Sequence, residues 1–246
     1  MYEILKKKYG QNFLIDKNIL KKIYQLIPKE NLNILEIGPG VGSLTEYIIK
    51  TKPKIFELVE IDQNFIPTLK DKFSSYKNIK LTNIDILKYK INESIDLIIS
   101  NLPYNISSQI LVKICLSNNQ PSDLILMFQK EFALRLIDKK LNSLNSLVQC
   151  FYDTKKVFDV SKNCFRPSPK VNSSVLRFRK IEKPLLLNSE IEKFISFKQK
   201  VFSFKRKSLN KILKNYDLSS LDLDLTQRVE SLSILDLLRI FRKINL

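Results

Sequence analysis

Histidine is absent from these 246 residues, which removes the imidazole base on which most hydrolytic schemes depend. No apolar run reaches the roughly 18 residues of a membrane-spanning helix. The first ten residues carry three lysines and no apolar stretch long enough for a secretory signal. Cysteine occurs only three times, at Cys115, Cys150 and Cys164, without metal-ligand spacing. These read as free thiols of a reducing compartment, so a cytoplasmic protein with no metal is expected. Alanine occurs once and glycine four times, yet Gly38, Gly40 and Gly42 fall within five residues. A chain that has shed glycine almost everywhere keeps a cluster where its backbone needs one.

What is abundant is positive charge: 42 Lys and Arg against 25 Asp and Glu give a net +17. Clustered cations suit a polyanionic partner, because they release counterions from phosphates. Lysines outnumber arginines 34 to 8, however, and Asn and Ile are plentiful. That pattern also fits a compositional drift that enriches lysine everywhere. Bulk charge leaves both readings open, and its placement has to decide. With 44% hydrophobic residues the chain is globular, as one large domain or a medium one with a small appendage.

Residues 33–37 (NILEI) form an apolar run ending at the glycine cluster, and 43–50 then show helical spacing. Strand signals recur at 54–61, 79–84, 95–100 and 124–128, with helical signals at 65–73 and 106–116. Such alternation predicts an α/β fold with a parallel sheet covered on both faces. Residues 131–151 read as helical, and 157–160 and 171–178 as two late strands flanking a proline-containing loop. From Ser189 onward only helical periodicity remains, with Ser189/Glu192 and Ser233/Asp236 spaced like helix starts. The expected division is 1–181 and 182–246.

The segment Glu36-Ile37-Gly38-Pro39-Gly40-Val41-Gly42 lies between a strand and a helix, where glycine lets backbone N–H groups approach a ligand. A dinucleotide fingerprint sets its third glycine three positions after the second; here Ser43 takes that place. The E-x-G-x-G-x-G form resembles the first motif of class I methyltransferases, with a structural glycine turn as the alternative. Glu60 ends the second strand about 20 residues on, where a carboxylate can accept from both ribose hydroxyls. Asp85 follows the third strand and could accept from a cofactor's adenine amino group. Each acid alone could be a solvated strand end, but all three sites fall in order on one sheet edge.

The fourth strand signal runs into Asn101-Leu102-Pro103-Tyr104. An adenine amino group is a poor nucleophile because its lone pair is delocalised into the ring. The Asn101 side-chain oxygen, aided by the Leu102 C=O, can hold the amino hydrogens and direct the lone pair at a methyl group. Pro103 fixes the turn and adds no competing N–H. Tyr104 offers a face for base stacking, worth roughly 1–3 kcal/mol. An ordinary strand-to-turn Asn-x-Pro would look the same in isolation.

Lys8-Tyr9-Gly10-Gln11-Asn12-Phe13-Leu14, the glycine segment, NLPYNIS (101–107) and Phe165-Arg166-Pro167-Ser168-Pro169-Lys170-Val171 together resemble the ribosomal RNA adenine dimethyltransferases over roughly residues 6–180. The likeness continues weakly into the C-terminal helices and is strongest to the bacterial small-subunit branch. It implies a class I methyltransferase Rossmann-like, mostly parallel sheet with a small all-α C-terminal domain that binds RNA. It implies S-adenosylmethionine as cofactor, held by Asn12, Leu14, Glu36, Gly38, Gly40, Glu60, Asp85 and Asn101. Residues Asn101 to Tyr104 would hold the target base, with Phe165 stacking on its other face after the base leaves its helix. The implied substrate is ribosomal RNA in an immature small subunit, acted on by a monomer. A sibling branch that methylates a large-subunit adenine and confers macrolide-type resistance is the alternative.

Two stretches decide where the charge sits. Residues 198–214 hold seven basic residues and no acid, including Lys205, Arg206 and Lys207; residues 160–181 lack acids too and include Arg166 and Lys170. Flanking the expected boundary, they suggest a basic cleft for phosphates. A solvated lysine face remains the bland reading of each. Phe202 and Phe204, inside the first stretch, are expected in the core.

Overall fold

In the computed structural model, which describes residues 12–204 and 206–245, a seven-stranded sheet carries the architecture. The chain opens with β1 (Phe13–Leu14) and α1 (Lys17–Gln25), then β2 (Asn33–Ile37), α2 (Thr45–Ile48), β3 (Ile55–Glu60), α3 (Ile66–Phe73) and β4 (Ile79–Asn83). It continues through β5 (Leu97–Asn101), α4 (Ser107–Cys115), β6 (Asp123–Gln129), α5 (Lys130–Leu136), α6 (Asn145–Val148), β7 (Tyr152–Val160), β8 (Phe165–Arg166) and β9 (Ser173–Lys180). The helices α7 (Ile191–Phe202), α8 (Leu209–Ile212) and α9 (Ile234–Asn245) complete it.

The sheet order is β4-β3-β2-β5-β6-β9-β7; the first five strands are parallel and β9 runs against both neighbours. Central strands read as unbroken apolar runs because both of their faces are buried. In β2 and β5 successive side chains go to opposite sides: Ile34, Leu97 and Ile99 pack with α1 and α2, whereas Leu35 and Ile98 pack with α4. Asp16 starts α1 by accepting from the Asn18 and Ile19 N–H groups, so that Leu20 and Ile23 face that core.

The second core does not stop at the last strand. It runs through Leu147, Phe151 and Leu186 into α7 and α9, where the Phe194 and Phe241 rings meet edge to face at 5.2 Å. The helix expected over 131–151 is instead two short ones. Asn142 and Asn145 turn the chain between them: Asn145 Nδ2 donates to Lys140 O, and Asn142 Oδ1 accepts from the Leu144 N–H. The late strands are displaced as well, β7 starting at Tyr152 and β9 at Ser173. At the C-terminal region's start, Glu190 rather than Glu192 reaches back, accepting from the Leu187 N–H at 2.8 Å. The Ser233 start is as expected, since its hydroxyl accepts from the Asp236 N–H. Among the described residues no helix is long and apolar enough to cross a membrane.

Candidate functional site

Parallel strands end their C-termini on one edge, and the crevice there is where α/β sheets bind ligands. The ends of β2, β3 and β5 enclose one pocket, lined among others by Gly38, Glu60, Asp85 and Asn101. Asn12, Leu14, Glu36 and Gly40 line it too, as do Leu102, Pro103 and Tyr104. The structure thus collects every expected cofactor residue at one place.

The three glycines all run at positive φ: 66°, 56° and 81°. Their N–H groups, expected to face a ligand, are used inside the protein. Gly38 donates to Val59 O, Gly42 to Pro39 O and Gly40 to Glu60 Oε2 at 2.9 Å. At these three positions the loop therefore supplies room rather than donors. A Cβ on Gly40 would come within 2.6 Å of the Phe13 ring, whereas one on Gly38 meets no atom of the described residues within 4 Å.

Glu60 is buried, and its other oxygen accepts from the Asp62 N–H at 2.8 Å. Burial pushes its carboxyl above the usual range, and the two backbone donors oppose that shift. Asp85 Oδ1 accepts from the Leu87 N–H at 2.9 Å, which fixes the side chain at the pocket wall.

Glu36 is also buried, at 1% exposure. Its carboxyl is pushed up to about 8, mainly by burial and further by the nearby Glu60 charge, while a 2.7 Å hydrogen bond from the Thr45 hydroxyl works the other way. The folded protein keeps this proton up to about pH 8, but the unfolded chain loses it near 4.5. Stability therefore falls as pH rises through that window, by up to about 1.4 kcal/mol per unit. Denaturation midpoints between pH 5 and 8 are expected to fall less for Glu36→Gln than for the unmodified protein. Parallel curves would remove Glu36 as the cause.

Asn101 ends β5. Its Nδ2 donates to Asn12 O at 2.8 Å, which ties the strand end to the segment before β1 and sets which way the amide points. Its Oδ1 is buried and has no hydrogen-bond partner among the described residues. An orphaned acceptor is costly, on the order of 1–3 kcal/mol, and calls for an explanation. Beside it, the Tyr104 hydroxyl and Ser173 Oγ lie 2.6 Å apart, which pins the ring.

Phe165 is not brought to this pocket. It is only 2% exposed and belongs to the core formed with Leu14, Leu20 and Ile23. There β8 pairs antiparallel with β1, Leu14 opposite Phe165, so the residue clamps the strand that carries one pocket wall. Thr45, Ser173 and Phe13 were not foreseen; only Phe13 had a signal, lying between two expected residues.

The basic residues divide. Arg166, Lys170, Arg206 and Lys207 are exposed, and Lys205 lies outside the described residues. Arg177 instead pairs with Asp123, and Lys180 donates to Gln120 O. Lys198 is buried, its ammonium donating to Ser143 O at 2.7 Å, and burial lowers its pKa.

Residues 3–246 match the family described as ribosomal RNA adenine dimethylase. A protein of Mycoplasma mobile named ribosomal RNA small subunit methyltransferase A is 43% identical over 222 residues, covering 88% of this chain and 86% of its own length. A Saccharophagus degradans protein of the same name is 34% identical, with 93% and 90% covered. Among solved structures, a dimethyladenosine transferase from Plasmodium falciparum superposes with a TM-score of 0.82 at 27% identity, covering 95% of this chain and 98% of that one. The 23S rRNA methyltransferase ErmE gives 0.76 at 24% identity, covering 96% and 100%, a likeness of fold. The sheet is that of a class I methyltransferase, Rossmann-like and mostly parallel. The chain belongs to the ribosomal RNA adenine dimethylase family.

Proposed function

We propose that this protein dimethylates the exocyclic amines of two adjacent adenosines near the 3′ end of small-subunit rRNA, using S-adenosylmethionine, as a monomer in the cytoplasm during small-subunit biogenesis. The observation that carries the chemistry is the unpaired Asn101 Oδ1 in the pocket at the sheet edge. The small-subunit target, rather than the large one, is favoured by the relatives at 43% and 34% identity, which are named for it.

The pocket suits such a cofactor on its own geometry. The Gly38 Cβ position is open, and acids stand at the ends of β2 and β3 and after β4. Glu60 would hold the ribose, Asp85 the adenine amine, and Glu36 would stand near the positively charged part. When bound, the sulfonium supplies an electrophilic methyl on an excellent leaving group, so no general base is needed. That agrees with a chain devoid of histidine.

The remaining work is positioning. Asn101 Oδ1 accepts one amino hydrogen of the adenine and biases the nitrogen towards a tetrahedral shape with its lone pair free. In a second transfer only one N–H remains, and a single acceptor suffices to hold it. Tyr104, pinned by Ser173, offers its ring to the base. Residues 1–181 would form the catalytic unit and 182–246 the helical RNA-binding one.

Reverse-transcription stops mapped in rRNA from cells with and without the protein test the target. Stops at two adjacent small-subunit adenosines that depend on the protein are expected; protein-dependent stops in the large subunit would contradict the reading. Replacing Lys205, Arg206 and Lys207 with Ala is expected to weaken RNA binding. It should also flatten the slope of log K against log salt by roughly 0.7–0.9 for each phosphate no longer neutralised. An unchanged slope would return this cluster to a solvated face.

A further inference from the structure

The aromatic at the tip of the basic segment is not where its sequence suggests. Phe202 is 5% exposed and packs in the core, but Phe204, two residues on, is 44% exposed. Helix α7 ends at Phe202, and the Ser203 hydroxyl bonds back to Gln199 O at 2.6 Å. The Lys207 N–H then donates to Phe204 O at 2.8 Å. Beyond it the chain is held again: Leu209 is fully buried, and its N–H donates to Gln227 O. The chain is thus held on either side of one phenyl ring that stands in water. Nothing in core packing asks for that exposure.

The ring stands among cations. The Lys207 ammonium lies 4.9 Å from its centroid, a cation–π contact, and Arg206 is exposed beside it. No acid occurs between 198 and 214. On the other side of the α7 terminus, Gln199 and Ser203 share a groove with Arg135 of α5.

We propose that Phe204 is a stacking platform for an unpaired nucleotide of the RNA, held while Arg206, Lys207 and Arg135 engage the flanking phosphates. The inference rests on the RNA substrate proposed above and adds a second place, outside the catalytic pocket, at which a base is gripped. An acidic protein surface would satisfy the cations and leave the flat ring without a purpose. A continuous duplex would satisfy them too, but its stacked bases offer no face to a phenyl ring. Phosphates with a splayed-out base use both features together.

The chain contains no tryptophan, so Phe204→Trp introduces a single fluorophore at the contact. Full-length Phe204→Trp and Phe204→Leu variants would be titrated with deproteinised small-subunit rRNA at several salt concentrations. The Trp variant is expected to keep wild-type affinity and to be quenched at saturation. The Leu variant, still apolar but without a π face, is expected to bind roughly 5- to 150-fold more weakly with an unaltered salt slope. Both should melt as the wild type does, since the ring is exposed. Wild-type affinity in the Leu variant, or unchanged emission in the Trp variant, would overturn the platform while leaving RNA recognition intact. Failure of the wild-type protein itself to bind this RNA would overturn both.

Discussion

Asn101→Ala is expected to lower the rate of methyl transfer by about 10²–10³-fold, the scale at which preorganised polar groups act in enzymes. Binding of S-adenosylmethionine should change far less. The Asn101 oxygen is a buried acceptor without a partner among the described residues, and its amide is oriented by the Nδ2 bond to Asn12 O. Removing the side chain removes the group that would take the adenine's amino hydrogen, and with it the alignment of the lone pair. Single-turnover rates at saturating donor and RNA, beside calorimetric donor affinity, separate the two effects. A variant that kept its rate would deny Asn101 this role. One that lost donor affinity in proportion to rate would make it a cofactor residue only.

The second large effect is expected at the glycine loop, and it discriminates between neighbours. Gly38→Ala places a methyl group where no atom of the described residues lies within 4 Å, at a residue that lines the pocket. It should lower donor affinity at least tenfold, about 1.4 kcal/mol. The φ of 66° adds a folding cost of about 1–2 kcal/mol for any L side chain. Gly42→Ala is different, because its Cβ would lie 2.8 Å from the Phe73 ring and 3.3 Å from Leu69. That substitution should cost more stability than Gly38→Ala and less affinity per molecule that stays folded. Calorimetry for binding and urea titration for stability test the pair. Equal losses of affinity in both would mean that Gly38 makes no room for the ligand.

Much of this was legible beforehand because parallel sheets write themselves plainly. Strands buried on both faces read as apolar runs, and the residue after each run sits at the ligand edge, so Glu60, Asp85 and Asn101 could be ordered without coordinates. The glycine cluster stood out against a glycine-poor chain, although its N–H groups turned out to be bonded within the protein. Local pattern fails where tertiary contact decides. Two-residue strands such as β1 and β8 have no period to detect, so the clamp that buries Phe165 against Leu14 left no trace. The edge strand β7 has the exposed Asp153, Lys155 and Lys156 near its start, which hid its first five residues.

Placement along the sequence locates charge but says nothing of its partners. Arg177 and Lys198 fall within the two acid-free basic stretches, yet Asp123 and Ser143 engage them. Phe202 and Phe204 are identical in type and two apart, and only the end of α7 between them makes one core and the other surface. The buried Glu36–Thr45 pair had no signal beyond the motif itself.

Purified protein incubated with labelled S-adenosylmethionine and undermethylated small ribosomal subunits, followed by nucleoside analysis, tests the chemistry and the substrate together. Label in N6,N6-dimethyladenosine, accumulating about 10²–10³-fold more slowly when Asn101 is replaced by Ala, is the expected result. Intact protein and competent subunits that yield no methylated adenosine would contradict it, whatever the fit of the pocket.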